Sequence, residues 1–208
     1  MVLLEFPKRG IMEITMKMFA VLFSIVFSFS GVIQAEVTSA LTISDTDFNC
    51  VLDMQPVRGF YVDNLLDGKL ADTLVVAEAG QGVYPPGSVV QLVPGEVMVK
   101  HPSGFSPATK DWEFFELNVS KEGTEIGKRG FVDVVNRFGG NCFGCHVMAE
   151  PEFDMICETG HGCDPIPLTP QITKLLQNTD ARCGGRYTPT EEEIGMLKAL
   201  AAQLAGGQ

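Results

Sequence analysis

Short apolar runs between residues 59 and 119 constrain the fold of this chain more than any other feature. They lie at 60–62, 73–76, 89–92, 97–99 and 112–117, and Gly- and Pro-containing turn signals separate them. Connections this short favour antiparallel pairing, because a parallel crossover needs a dozen or more residues. The sequence therefore predicts an α+β fold, in which helices pack on an antiparallel β-sheet.

The segments on either side of these runs differ from them in composition. Residues 36–58 are rich in Ser, Thr and Asp and predict a loosely ordered N-terminal arm. Residues 155–208 predict a helical extension, with one helix from Thr169-Pro170 to about Gln177. The segment Thr188-Pro189-Thr190-Glu191 predicts the start of a second helix, because it is interpreted as a capping box with Pro at the first helical position. This helix is expected to end at Gly206-Gly207.

Residues 18–33 form the only long apolar stretch, preceded by a lysine and followed closely by Ala35. The stretch is at the short end for a membrane span and contains three Ser, which is typical of a signal-peptide h-region. We predict a signal peptide over 1–35, cleaved after about Ala35, with an uncleaved anchor as the alternative. Residues 1–15 precede the basic n-region and include two acids, which indicates that translation starts downstream of them. The mature protein is expected in the periplasm or secreted, without a stable membrane span.

The charge balance narrows the classes of partner. The chain has 15 Lys and Arg against 26 Asp and Glu, a formal net charge of −11, and no long basic run. This balance argues against nucleic acid or an anionic membrane surface as the main partner.

The strongest chemical signal is the sequence Cys142-Phe143-Gly144-Cys145-His146. Two thiols three residues apart on one helical turn can add to the two vinyl groups of haem, and the adjacent imidazole then binds the iron. The motif predicts one covalently attached haem c, bound by Cys142 and Cys145, with His146 as the axial iron ligand. Export is consistent with this prediction, because such attachment takes place outside the bacterial cytoplasm.

Two other chemistries can use the same thiols. One is a zinc site formed by Cys142, Cys145 and two of Cys157, His161 and Cys163. The other is a plain disulfide between the two cysteines of the motif.

The remaining cysteines are Cys50, Cys157, Cys163 and Cys183. An even number in an exported chain predicts two disulfides, and three connectivities are open. A local bridge from Cys157 to Cys163 is feasible, because the loop between them contains two Gly. That bridge would leave Cys50 to pair with Cys183.

The group opposite His146 on the iron would decide the function. A thioether or a second imidazole there gives a six-coordinate electron carrier, whereas an open position admits small ligands. Met148 is too close to His146 in sequence to reach the opposite side, but Met155, His161 and Met196 are far enough away. We nevertheless predict other roles for the Met and His candidates: core packing for Met98, Met155 and Met196, an exposed or backbone-bonded imidazole for His161, and a turn position for His101.

Side chains of the last apolar run are further candidates. Trp112, Phe114 and Phe115 could line the open side of a haem, although ordinary sheet packing is the simpler expectation. Glu113 and Glu116 are candidates for a carboxylate that moves protons, and the simpler expectation for both is an exposed charge.

The order of several landmarks resembles the cytochrome P-460 and cytochrome c′-beta family. These are a Pro-Gly-led strand at 84–90, a Met-x-Lys strand at 97–102, a Trp-led strand at 111–115, the motif at 142–146 and an Asp at 154. The resemblance covers about 60–154 and implies a haem-binding domain over 59–154, with an antiparallel sheet packed by helices. It also implies that His146 is the only protein ligand and that the open side meets nitric oxide or hydroxylamine.

Two features depart from the family pattern. The catalytic branch links a lysine to the haem from a position before the Pro-Gly strand, but no Lys lies between Lys69 and Lys100, and Lys69 lies in a turn. Residues 155–208 have no counterpart. Turnover of hydroxylamine is therefore expected to be weak or absent.

The sequence thus predicts a periplasmic mono-haem c-type cytochrome with an open site for small ligands or redox chemistry on small nitrogen species. A haem-dependent oxidoreductase activity and a redox partner protein belong to that expectation. The alternatives are a six-coordinate electron-transfer cytochrome c and a structural zinc module of an envelope protein.

Overall fold

The structure, a computed structural model, describes residues 40–206. The predicted signal peptide and its cleavage site after Ala35 lie outside the described residues. Within 40–206, no helix has the length and apolar character needed to cross a membrane.

Within residues 40–206, a single sheet of six antiparallel strands forms the centre of the fold, and its strands are adjacent in chain order. The predicted antiparallel sheet and mixed α+β class are therefore confirmed. The strands are β1 (Gln55–Val57), β2 (Phe60–Asn64), β3 (Ser88–Val93), β4 (Glu96–Lys100), β5 (Trp112–Ser120) and β6 (Gly123–Gly130).

Four α-helices accompany the sheet in the described part of the chain: α1 (Leu70–Ala79), α2 (Cys142–His146), α3 (Pro170–Asn178) and α4 (Glu191–Gly206). Helix α3 begins at Pro170 as predicted, and its Thr169 hydroxyl accepts a hydrogen bond from the Ile172 N–H. Short 3-10 turns lie at Asp45–Asp47, Val51–Asp53, Pro107–Thr109, Pro151–Phe153 and Ala181–Cys183.

The cap of α4 is two residues later than predicted. The Glu193 N–H donates to the Thr190 hydroxyl at 3.3 Å, and the Thr190 N–H donates to the Glu193 carboxylate at 2.8 Å. This reciprocal pair is the capping box, because Thr190 and Glu193 have the three-residue separation of an N-cap and N3. Pro189 therefore lies before the N-cap instead of at the first helical position.

The strand prediction for 73–76 is wrong, since these residues lie in α1. The helix buries Thr73 and Ala77, which are four residues apart and share one helical face, while Val75 is exposed. The Thr73 hydroxyl lies 2.8 Å from the Ser88 hydroxyl of β3 and fastens the helix to the sheet. Helix α1 ends at Gly80, whose φ of 74° is the left-handed conformation that favours glycine.

Two strands carry no apolar run and were not predicted. Strand β1 lies in the predicted N-terminal arm and pairs Pro56 with Tyr61 of β2. Strand β6 is mostly polar and follows β5 through the tight turn between Ser120 and Gly123. Both lie at the edges of the sheet, where solvent exposure removes the need for an apolar pattern.

The sheet has two buried faces. The motif face carries Phe60, Val62, Val90, Met98, Trp112 and Phe114, and the CxxCH helix packs against it. The arm face carries Val89, Val97, Val99, Phe115 and Leu117, and the N-terminal residues Ile43 and Phe48 cover it. The side chains alternate between the faces with the period of two that a strand imposes.

Candidate functional site

Helix α2 is one turn long and contains the whole CxxCH motif. Its N-cap is Asn141, whose side-chain oxygen accepts the Gly144 N–H at 2.7 Å. The Asn141 amide donates in turn to the carbonyls of Val132 at 2.8 Å and Val134 at 3.2 Å. A five-residue helix is too short to be stable alone, so these bonds fix its position.

Cys142 and Cys145 are free thiols and half-buried. Burial raises the pKa of Cys142 to about 12, and the charges of Glu96 and Glu116 act in the same direction. Burial also raises the pKa of Cys145. Both thiols are therefore protonated in the absence of a ligand, and the pair does not form the plain CxxC disulfide.

The two predicted disulfides have the connectivity that the local bridge implied. Cys157 is bonded to Cys163, and Cys50 is bonded to Cys183 across 133 residues. The first bond removes both additional thiols that the zinc alternative required. Only His161 of that ligand set remains, and three groups do not complete a four-ligand structural zinc site.

His146 lies at the end of α2 and has one ring nitrogen engaged. Its Nδ1 is 2.6 Å from the carbonyl oxygen of Met155. A carbonyl oxygen can only accept a hydrogen bond, so Nδ1 carries the proton. The lone pair on Nε2 is then left to bind a metal ion or to accept a hydrogen bond. Burial lowers the pKa of His146, with the Met155 bond acting in the opposite direction, so the imidazole is held neutral. The Phe114 ring lies 5.2 Å from the imidazole, centroid to centroid.

A buried ion pair is formed by Asp154, the residue that directly precedes Met155. The Lys100 ammonium is 2.9 and 2.8 Å from the two carboxylate oxygens of Asp154, and both side chains are almost fully buried. The Asp154 carboxylate also accepts the Tyr84 N–H at 2.8 Å, and its backbone carbonyl accepts the Trp112 indole N–H at 2.8 Å. Burial lowers the pKa of Lys100, and the bond to Asp154 offsets part of that effect.

Two carboxylates lie opposite each other on neighbouring strands at one end of the motif face. Glu96 of β4 pairs in register with Glu116 of β5, and both are near enough to Cys142 to raise the pKa of its thiol. Burial raises the pKa of Glu96 despite the hydrogen bond from the Arg137 N–H. One oxygen of Glu116 is buried without a hydrogen-bond partner, because the Lys128 ammonium is 3.8 Å away.

Glu113, the other candidate carboxylate, lies on the arm face. It is 2.8 Å from His101 Nε2, and Arg129 donates to both of its oxygens at 2.8 Å. The expectation of an exposed charge is wrong here, because Glu113 is buried and has two cationic or polar partners. His101 lies in the connection after β4, directly before the turn at 102–105, and its ring is buried with Nδ1 accepting the Leu41 N–H at 3.0 Å.

The aromatic candidates separate between the two faces. Trp112 and Phe114 belong to the motif face and Phe115 to the arm face, where it packs against Phe48 at a centroid distance of 5.2 Å. Phe115 is therefore on the wrong side of the sheet to line a site at the motif.

The candidate distal ligands have other environments. Met98 and Met155 are buried in the cluster of the motif face, as expected for core packing. His161 donates Nδ1–H to the Ile156 carbonyl at 2.7 Å and stacks on Phe153, which agrees with a backbone-bonded imidazole. Met196 lies in α4 and is half-buried.

The surface next to the motif is apolar. Val147 and Met148, which follow His146 directly, are about half exposed, and Val132 is 70% exposed. Phe131 and Phe143 are partly buried with their rings in an edge arrangement. An apolar rim around two free thiols fits an apolar ligand with reactive vinyl groups, such as a haem.

Several residues of this site were not singled out from the sequence. Lys100 and Asp154 appeared only as landmarks of a resemblance, and Glu96 did not appear at all. A lysine that ends the apolar run Val97-Met98-Val99 was a usable signal, because a charge on a buried strand requires a partner. The Asn directly before Cys142 was likewise a usable N-cap signal.

Comparisons with known proteins add no relative. No family model, curated protein or solved structure matches this chain.

Proposed function

We propose that this chain is a mono-haem c-type cytochrome with an open coordination position for small ligands. Cys142 and Cys145 are the attachment residues, and His146 is the axial iron ligand. When bound, haem c would supply a redox-active iron.

The observation that carries the proposal is the arrangement of His146. Its Nδ1–H is donated to the Met155 carbonyl, so the neutral ring offers Nε2 as a ligand atom. Metal-binding histidines ordinarily donate the second ring nitrogen to a carbonyl or carboxylate in this way, which fixes the tautomer and the ring orientation. The two free thiols on the same helical turn complete the attachment set.

The donor chemistry supports haem over zinc. Cys157 and Cys163 are consumed in a disulfide, so only His161 of the additional zinc ligands remains. Thioether formation with a vinyl group ends with an uncharged sulfur, which suits a half-buried position near the negative charges of Glu96 and Glu116.

The open coordination position is supported by where the candidate ligands lie. Met155 contacts His146 at Nδ1, the ring nitrogen that would not bind the iron, and is buried in the motif-face cluster. The His161 ring is stacked on Phe153. Met148 is only two residues after His146, which is too close in the sequence to reach the opposite side of the iron. The resemblance to the cytochrome P-460 and cytochrome c′-beta family supports the same arrangement and suggests small nitrogen species, such as nitric oxide, as ligands.

Glu116 is the carboxylate that best suits proton movement at this site. It lies on the motif face with one buried oxygen free of hydrogen bonds, and Glu96 is its direct cross-strand neighbour. Burial raises the pKa of its neighbour Glu96, and the charge of Glu116 acts in the same direction. Glu113 is excluded from this role by its position on the arm face.

Two disulfides support an exported location for the folded chain, because such bonds persist in oxidising compartments. The periplasm is the compartment in which disulfides and covalent haem attachment occur together.

The test is the optical spectrum of the reduced protein with and without carbon monoxide. The proposal predicts a high-spin ferrous spectrum that carbon monoxide changes, in wild type and equally in Met155→Ala, His161→Ala and Met196→Ala. A low-spin spectrum that is lost in one of those variants would identify a sixth protein ligand and an electron carrier. Hydroxylamine turnover with an artificial acceptor is expected to be weak or absent, because the linking lysine of the catalytic branch has no counterpart.

A further inference from the structure

The ion pair between Lys100 and Asp154 is the most deeply buried charge on the motif face, and the attachment chemistry does not use it. The exposed fractions of the two side chains are 6% and 2%. Breaking such a pair is costly, but replacing both partners by apolar groups is often neutral, so stability alone does not explain its presence. Its location next to the partner of His146 suggests a second role.

The geometry of the segment links the pair to the axial histidine in two steps. Asp154 and Met155 both have left-handed backbone conformations, with φ of 49° and 68°, which non-glycine residues rarely adopt. Such a conformation persists only where surrounding contacts impose it. Through this turn the Met155 carbonyl points at His146 Nδ1.

The contacts that impose the turn come from the sheet. Lys100 holds the Asp154 side chain, and the Tyr84 N–H donates to the same carboxylate. The Trp112 indole holds the Asp154 carbonyl, and Lys100 is bonded a second time to the Lys110 carbonyl at 2.6 Å. The turn is therefore anchored to β4 and β5 at both the side chain and the backbone of Asp154.

We propose that Lys100 and Asp154 are positioning residues that fix the Met155 carbonyl against His146 and thereby set the reduction potential of the bound haem. The inference rests on the proposed function. A hydrogen bond from Nδ1–H to a carbonyl makes the imidazole a stronger donor. A stronger donor stabilises ferric over ferrous iron, so loosening this bond raises the potential.

The test compares Lys100→Met, Asp154→Asn and the double variant with wild type. The readout is the ratio of ferrous to ferric protein at the ambient potential where wild-type haem is half reduced. Loss of the anchor is expected to raise this ratio in all three variants, by about tenfold, which is about 59 mV for one electron. The iron–histidine stretching frequency of the ferrous protein should fall in parallel, because the imidazole becomes a weaker donor.

A simple charge effect gives a different pattern. Removing the lysine cation would lower the ratio, removing the carboxylate would raise it, and the double variant would return to wild type. Opposite shifts in the two single variants, or an unchanged ratio in both, would overturn the proposal.

Two further variants separate positioning from stability. Lys100→Arg keeps the cation and is expected to hold the ratio near the wild-type value. Arg182→Met breaks a pair with Asp180 that is equally buried, at 3% and 0% exposed, but is joined to the arm-face segment through the Phe48 carbonyl and the Val51 N–H. It should destabilise the protein without changing the ratio.

The outcomes also separate this inference from the proposed function. Wild-type protein that carries no covalent haem contradicts both. Wild-type protein that carries haem, with a ratio insensitive to Lys100→Met and Asp154→Asn, contradicts the positioning role alone.

Discussion

The two faces of the sheet both bury a charged network, and the two networks start from adjacent residues. Lys100 lies on the motif face and pairs with Asp154, whereas His101 contacts Glu113 on the arm face. On the motif face the network ends at the carbonyl that accepts from His146. On the arm face it ends at the backbone of the N-terminal segment, where Leu41 donates to His101 and the Ile43 carbonyl accepts from Arg129.

This difference shows that burial of charge does not by itself indicate function. A buried ion pair holds the N-terminal segment on the arm face. On the motif face, a buried ion pair holds the turn that bonds to His146, the proposed axial ligand. What distinguishes them is the group at the end of each network: backbone amides on the arm face, an imidazole with a free ring nitrogen on the motif face. Variants on the arm face should therefore change stability, and variants on the motif face should change the site.

The largest stability effect is expected from the disulfide that fastens the arm-face segment. Cys50→Ser/Cys183→Ser opens a link across 133 residues and should lower the free energy of unfolding by about 4–5 kcal/mol. Cys157→Ser/Cys163→Ser opens a link across only 6 residues and should cost about 2 kcal/mol. Urea unfolding followed by circular dichroism measures both. Equal losses of unfolding free energy in the two variants would contradict the prediction that Cys50–Cys183 is the more stabilising disulfide.

Glu113→Gln should lower the free energy of unfolding by about 3 kcal/mol at neutral pH, because it leaves Arg129 and His101 without their buried partner. Burial opposes ionisation of Glu113, but the bonds from His101 and Arg129 outweigh it and hold its pKa below the ordinary 4.5.

The pH dependence of the stability follows from the lowered pKa of Glu113. Because the folded state binds the proton less tightly than the unfolded state, the stability from Glu113 is present above about pH 4.5 and declines as the pH falls through the lowered pKa. Glu113→Gln should therefore lose stability less steeply than wild type in acid. If the free energy of unfolding of Glu113→Gln fell in acid as steeply as that of wild type, the network would be contradicted. A change in the haem spectrum of this arm-face variant would contradict it as well.

Asn141→Ala removes the N-cap of the motif helix and its bonds to the preceding carbonyls, and should cost about 2 kcal/mol. Its second effect should be a smaller fraction of protein with attached haem, because the two thiols lose their fixed turn. Asn49→Ala, on an exposed turn near the arm face, is the control and should leave that fraction unchanged. Equal haem content in both variants would mean that the cap does not organise the motif.

The smallest change in the free energy of unfolding is expected at Glu96, where substitution should stabilise the protein instead of destabilising it. Burial raises the pKa of Glu96, so the folded state favours the protonated acid and loses stability as the pH rises through that pKa. Glu96→Gln keeps an acceptor for the Arg137 N–H and should stabilise the protein by less than about 1 kcal/mol at pH 7, with a smaller gain at pH 4. The exposed Glu78→Gln should show no such pH-dependent gain in the same thermal unfolding series.

Sequence reasoning reached the elements whose signal is local. The strands at 60–62, 89–92, 97–99 and 112–117 have apolar runs, the CxxCH helix has its motif, and the local Cys157–Cys163 bridge follows from a short Gly-containing loop. It failed where the signal is tertiary: the run 73–76 is helical because Thr73 and Ala77 both face the sheet. Likewise, no local pattern indicates that His101 and Glu113 are buried, because their partners arise from the pairing of β4, β5 and β6.

The most direct measurement of the central claim is the mass of the protein after acid denaturation, when it has been produced in a periplasm equipped for haem attachment. The proposed function predicts that the wild-type polypeptide retains one haem and that Cys142→Ala/Cys145→Ala retains none. A wild-type mass equal to that of the polypeptide alone, or haem retained by the double variant, would contradict it.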